Sequence, residues 1–127
     1  MVRRNIVLID DDLRILTGLE RFLRSHLENV EVSFFTSPFD ALCGLQLDQE
    51  RIHLVISDFE MPGKNGIVLY EEAKELLEKM PPWIIYSGAS GKAFYSAIHE
   101  RNLTLVAKPE YGERLLSAVI QKLAKRV

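Results

Sequence analysis

A chain of 127 residues is long enough for one domain with a real core and too short for several. Its formal net charge of -2 argues against general nucleic-acid binding, which needs a basic surface, and no apolar run is long enough to span a membrane. The single cysteine, Cys43, rules out an internal disulfide and fits a reducing compartment, so a cytoplasmic location is expected.

Ile6 to Ile9 is an apolar run rich in β-branched residues and predicts a buried first strand. Arg3 and Arg4 precede it, but the run is short and ends in three acids, so it is no signal peptide. Leu13, Leu16, Leu19, Phe22, Leu23 and Leu27 then recur at helical spacing and predict a helix from about Asp12 to Leu27. Asp11 or Asp12 can cap that helix. Capping accounts for one or two acids of the Asp10-Asp11-Asp12 triplet and poorly for all three, because adjacent carboxylates repel unless something positive sits between them.

Val30 to Phe35 predicts a second strand. Ser37-Pro38 has the form of an N-cap followed by proline at the first helical position. It opens a second helix over Pro38 to Leu47, with Ala41, Leu42 and Leu45 facing inward. Ile52 to Ser57 is the third strand, and its Leu54-Val55-Ile56 lacks polar alternation, as in a parallel sheet covered on both faces. Asp58 stands at its exit, where Pro62 and Gly63 suit a turn. A third helix is predicted over Ile67 to Lys79 and stops at Pro81-Pro82. Trp83 to Tyr86 is the fourth strand, ending at Ser87 before the turn Gly88-Ala89-Ser90-Gly91. A fourth helix from about Lys92 to Arg101 leads to a fifth strand over Leu103 to Ala107, which ends at Lys108-Pro109. The last helix, from about Tyr111 to Lys125, carries Leu115, Leu116, Val119, Ile120 and Leu123 on one side. No repeat, low-complexity tract or linker interrupts the series, so one domain over residues 1–127 is expected, which can itself be a piece of a longer protein.

Five alternations of strand and helix predict an α/β domain, a doubly wound parallel sheet with helices on both faces and right-handed crossovers. Asp10, Asp11, Asp58, Ser87 and Lys108 all fall at carboxyl ends of strands, where such sheets bind their ligands. Singly, each has an ordinary explanation: a cap, a turn residue, a solvated lysine. Five at strand exits point to a site. Carboxylates without histidine or cysteine nearby make a hard, oxygen-rich site suited to magnesium. An aspartate beside the metal can attack phosphorus and become an aspartyl phosphate. Magnesium and Lys108 then offer positive charge to the phosphoryl oxygens, and the Ser87 hydroxyl can hydrogen-bond another. A Gly-rich phosphate cradle and a Walker lysine are missing, so the phosphoryl donor comes from elsewhere.

The ordered set Asp10-Asp11, Asp58 with Met61-Pro62 and Gly66, Ser87-Gly88 and Lys108-Pro109 resembles the receiver domain of two-component response regulators, across essentially the whole chain. The resemblance implies a flavodoxin-like fold, with five parallel strands in the order 2-1-3-4-5 and five flanking helices. It implies Asp58 as phosphoacceptor, served by a histidine kinase or histidine phosphotransfer protein. Asp10 or Asp11 would hold magnesium, directly or through water, with Asp58 and the backbone carbonyl of Glu60. Ser87 would be the switch hydroxyl and Lys108 the phosphate-contacting cation. Members of the family act on an output partner or output domain and often dimerise through the fourth helix, fifth strand and fifth helix. The domain would be a phosphoacceptor that assists its own phosphorylation and dephosphorylation, and no separate enzyme.

Three positions depart from the family pattern. Asn65 stands where an aspartate is usual, Leu105 where an aromatic switch residue is usual, and Glu110 where phenylalanine is common, with Tyr111 beside it to take over some packing. Glu60 and Ala89 lie two positions beyond Asp58 and Ser87, where the family flanks the path of the hydrolytic water. Competing readings are a receiver-like interaction module that is no longer phosphorylated, a magnesium-dependent phosphohydrolase of the haloacid-dehalogenase kind, and a flavodoxin-type binding module. The second wants Asp-x-Asp followed by Thr or Val, where this chain has Leu13 after its acids. The third would set an acidic triplet against a flavin phosphate.

Overall fold

Strands and helices alternate along the whole chain in a computed structural model that describes residues 3–108 and 112–125. They are β1 (Arg4–Ile9), α1 (Leu13–His26), β2 (Val30–Phe35), α2 (Pro38–Asp48), β3 (Ile52–Ser57), α3 (Gly66–Leu76), β4 (Trp83–Ser87), α4 (Lys92–Glu100), β5 (Thr104–Ala107) and α5 (Glu113–Lys125). The strands form one parallel sheet in the order β2-β1-β3-β4-β5. From β1 the chain goes outward to β2, then returns past β1 to β3. The order therefore reverses between β1 and β3, which opens a crevice at their carboxyl ends.

Each face of the sheet carries its own apolar layer. On one side Val7, Ile9, Val55 and Ile85 meet Ala41 and Leu45 of α2, Leu69 and Ala73 of α3, and Phe94 and Ile98 of α4. On the other, Ile6, Leu8, Leu54, Ile56 and Tyr86 meet Leu16, Leu19 and Leu23 of α1 and Leu115, Val119 and Leu123 of α5. This double coverage explains why β1, β3 and β4 read as unbroken apolar runs. Arg4 to Ile9 align with β2 in simple register, whereas the pairing with β3 shifts between Asn5 and Ile6. His53 fills the irregularity: its Nδ1 accepts the Asn5 N–H at 3.1 Å.

Several predicted boundaries move, each for a local reason. The third helix was expected to reach Lys79 but ends at Leu76. Leu77 leaves the helix in extended conformation, its N–H bonded to Ala73 O, so that its side chain turns into the core. The fifth strand begins at Thr104, because the Leu103 N–H closes onto Ile98 O of α4. On α5 the buried stripe is Leu115, Val119 and Leu123, a strict four-residue repeat. Ile120 lies one residue off that stripe and is half exposed, against the expectation that it faces inward. Leu13, in the first turn of α1, is likewise exposed. Expectations on Pro109, Glu110 and Tyr111 lie outside the described residues.

Candidate functional site at the carboxyl edge of the sheet

Hydrogen bonds of the sheet continue one residue past its strands, and those extra bonds place the site. The Asp10 N–H reaches Phe35 O at 3.2 Å, the Asp58 N–H reaches Ile9 O at 2.8 Å, and the Lys108 N–H reaches Ser87 O at 3.1 Å. Asp10, Asp58, Ser87 and Lys108 are thus fixed by β1, β3, β4 and β5. They line a concavity of about 490 Å³ together with Asp11, Asp12, Ile15, Glu60, Gly88 and Ala89. Every predicted site residue lies on its wall.

Asp10, Asp58 and Ser87 are buried, whereas Asp11 and Glu60 are exposed. Carboxylate oxygens of Asp10, Asp11 and Asp58 lie within 4.8 Å of one another. The Lys108 ammonium sits among them, 2.6 Å from Asp10 Oδ2 and 3.2 Å from Asp58 Oδ1. The Phe59 N–H donates to Asp58 Oδ1 at 2.8 Å, and the Asp12 N–H to Asp10 Oδ1 at 2.9 Å. Ser87 Oγ accepts the Ala89 N–H at 3.0 Å.

Burial pushes the Asp58 carboxyl above its ordinary value, and the charge of Asp11 adds to that push; Lys108 and the Phe59 N–H oppose it. Asp10 is raised for the same first reason, burial, with the Asp58 charge adding to it against Lys108 and the Asp12 N–H. For Lys108, burial acts downward, but the hydrogen bond to Asp10 and the charges of Asp58 and Asp10 outweigh it and leave the ammonium raised. The crevice therefore holds more negative charge than one lysine relieves. An all-oxygen donor set of this kind fits a hard divalent cation such as magnesium.

Asp12 lines the same wall but is already engaged. Its side chain caps α1 through the Arg14 N–H and pairs with the Arg14 guanidinium, which together hold its carboxyl below the usual range. The triplet thus divides into one cap and two site acids. Glu60 stays outside the carboxylate cluster. In the sequence Ser57 marks only the end of β3, yet its buried hydroxyl donates to Asp58 O at 2.8 Å. Nothing in the local sequence marks that role. Gly66 is explained by its neighbour: a Cβ there would fall 2.1 Å from Asp58 O. Asn65 caps α3 as an aspartate would, its Oδ1 accepting the Ile67 and Val68 N–H groups at 2.9 Å each. Leu105 is partly buried against the α2, α3 and α4 layer.

The fold and the crevice define a doubly wound α/β domain with an acidic, lysine-bearing site at its switch point. The chain belongs to the response regulator receiver domain family, whose model matches residues 6–120. It is 30% identical over 122 residues to the C4-dicarboxylate transport transcriptional regulatory protein DctD of Rhizobium meliloti (strain 1021), a match that covers 96% of this chain and 26% of that protein. A second relative, the putative two-component response regulator ARR21 of Arabidopsis thaliana, is 28% identical over 87 residues, covering 68% of this chain and 14% of that protein. The chain thus spans about a quarter or less of the curated relatives it matches. Among solved structures it is similar to the signal receiver domain of an HD domain-containing protein from Pseudomonas fluorescens Pf-5, with a TM-score of 0.81 and 26% identity over 97% of this chain and 96% of that one. The fold is also that of a CheY-like receiver domain protein from Methanospirillum hungatei JF-1, with a TM-score of 0.81 and 22% identity over 97% and 95% of the two chains. The domain is a receiver of two-component signal transduction. Among the described residues no helix is long and apolar enough to cross a membrane.

Proposed function

We propose that this receiver takes a phosphoryl group on Asp58. The observation that carries the reading is one buried aspartate at the exit of β3 and one lysine reaching it from the exit of β5, beside two further carboxylates within metal-sharing distance. Asp58 Oδ1 is turned to Phe59 and Lys108, which leaves Oδ2 as the attacking oxygen. That oxygen forms the new O–P bond as the phosphorus–nitrogen bond of a donor phosphohistidine breaks, and the imidazole leaves with a proton. The donor is a histidine kinase or a histidine phosphotransfer protein.

Asp10, Asp11, Asp58 and the backbone carbonyl of Glu60 would hold magnesium. When bound, the ion supplies positive charge to the developing phosphoryl oxygens. Lys108 already points its ammonium at Asp58 and is placed to contact a phosphoryl oxygen there. Ser87 turns its hydroxyl from the β4–α4 loop toward a second oxygen, which draws the loop inward. The resulting shift in α4, β5 and α5 is a population shift driven by one local charge event. Output passes to a partner or to a further domain, and self-association through the same face fits this scheme. We place the single domain at residues 1–127 and its site of action in the cytoplasm, where such kinases present their phosphoryl groups.

The test is intact-protein mass after incubation with acetyl phosphate and magnesium, beside an Asp58→Ala control. One added phosphoryl group on the wild type alone, lost when the metal is chelated, is the expected result. No addition, together with no binding of beryllofluoride, overturns the reading in favour of an interaction module.

A further inference from the structure

The loop between β3 and α3 carries Glu60 past the crevice, and α2 grips it from outside. Phe39, in the first turn of α2, is 54% exposed and so contributes little to the core. Its place is set by Ser37, whose Oγ accepts the Phe39 N–H at 3.2 Å. What the ring touches is the loop. Gly63 has φ +89°, and a Cβ there would fall 2.7 Å from Phe39 Cε2, so the ring lies directly against the Gly63 backbone. Lys64 sets its ammonium over the same ring, 4.6 Å from the centroid. The Lys64 side chain is only 12% exposed, and it also pairs with Glu72 of α3. The loop's inner end is held by the sheet and α3: Gly66 N–H to Phe59 O at 2.7 Å, and Met61 buried in the core. Its outer corner is clamped between the Phe39 ring on α2 and Glu72 on α3.

We infer that Phe39 is a positioning residue for the metal site, acting through Gly63 and Lys64 to fix the β3–α3 loop and with it the backbone of Glu60. The inference rests on the phosphoacceptor reading for its use and on the loop contacts for its geometry. Removing the ring frees the loop's corner without opening the core. Metal then has to order the loop as it binds, so its affinity falls while the carboxylates stay in place. A ring–cation contact of this exposure sets the scale, a change of about two- to fivefold.

The experiment is a magnesium titration of the unphosphorylated domain by calorimetry, for wild type, Phe39→Ala, Phe39→Tyr and Leu47→Ala, with urea midpoints for each. Leu47 is on the same helix, is 85% exposed and is the control for general loosening of α2. Phe39→Ala is expected to weaken magnesium about two- to fivefold with a nearly unchanged urea midpoint. Phe39→Tyr should restore the affinity, and Leu47→Ala should leave it at the wild-type value. Unchanged affinity in Phe39→Ala, an equal loss in Leu47→Ala, or failure of tyrosine to rescue overturns the inference. If Phe39→Ala unfolds early, Lys64→Met should produce the same affinity loss through the other side of the contact, and its failure to do so also overturns it. Wild type that binds magnesium but takes no phosphoryl from acetyl phosphate would remove the phosphoacceptor reading and leave the positioning result standing. Wild type that binds no magnesium removes both.

Discussion

Lys108 lets two buried carboxylates share one crevice, since its ammonium contacts both Asp10 and Asp58. Truncating it strands those acids in a poorly solvated site, where an uncompensated charge costs more than the pair was worth. In chelator, Lys108→Ala should therefore lower unfolding free energy by about 3 kcal/mol, read from urea midpoints. Magnesium should recover much of that loss, because a divalent ion replaces the missing charge. A loss under about 1 kcal/mol would mean that the acids simply take up protons in the variant. At this scale the sequence was informative about identity and silent about contact. Asp58 and Lys108 could be picked out as strand exits, but their meeting depends on a fold that joins residues far apart in the chain. Whether Asp11 or Asp12 caps α1 was open in the sequence. It is decided by Arg14, whose backbone and side chain both turn to Asp12.

At the level of elements, α3 shows how a helix start is tied to the site. Asn65 satisfies two of its free N–H groups, and Gly66 lets its first turn lie on the Asp58 carbonyl. Asn65→Ala should cost about 1 kcal/mol in urea unfolding, while Asn65→Asp, with its charge at the helix N-terminus, should be neutral or slightly stabilising. An equal loss in both would show that the amide, and no cap in general, is needed. Gly66→Ala is the harsher change, because backbone stands 2.1 Å from the new carbon; at least about 3 kcal/mol should be lost. A normal urea midpoint for that variant would contradict the close approach. On α5, Lys122 is partly buried and its pKa is lowered, first by burial and then by Lys125. A lowered lysine pKa means that the folded state binds protons less well than the unfolded chain. The penalty is complete at neutral pH and disappears as pH rises past the ordinary lysine value of 10.5. Lys122→Met should then stabilise the domain at pH 7, with the gain gone at alkaline pH. A gain that persists there would assign the effect to methionine packing. Helix existence was plain from the apolar spacing, but ends such as Leu77 were not, because a buried leucine just outside a helix has the same spacing as one inside it.

Across the whole molecule, the crevice joins parts that unfolding must separate. Its residues come from the exits of β1, β3, β4 and β5, four of the five strands, so a ligand bound there opposes the opening of the sheet as a whole. The alternation of elements made this architecture legible, since parallel strands with helical crossovers put every strand exit on one edge. What the sequence could not show was how the charges settle: a lysine shared by two acids, and one acid of three withdrawn to a cap. Magnesium should stabilise the folded chain by mass action, about 1.4 kcal/mol at ten times its dissociation constant. Urea unfolding across a magnesium series, at fixed ionic strength, measures it. The gain should follow a single-site curve in wild type and collapse in Asp11→Ala, which removes the exposed acid of the proposed metal set and leaves Lys108 paired with the buried acids. Equal stabilisation of that variant would mean that magnesium acts as a general salt on surface acids, and the triad of Asp10, Asp11 and Asp58 would lose its standing as a metal site.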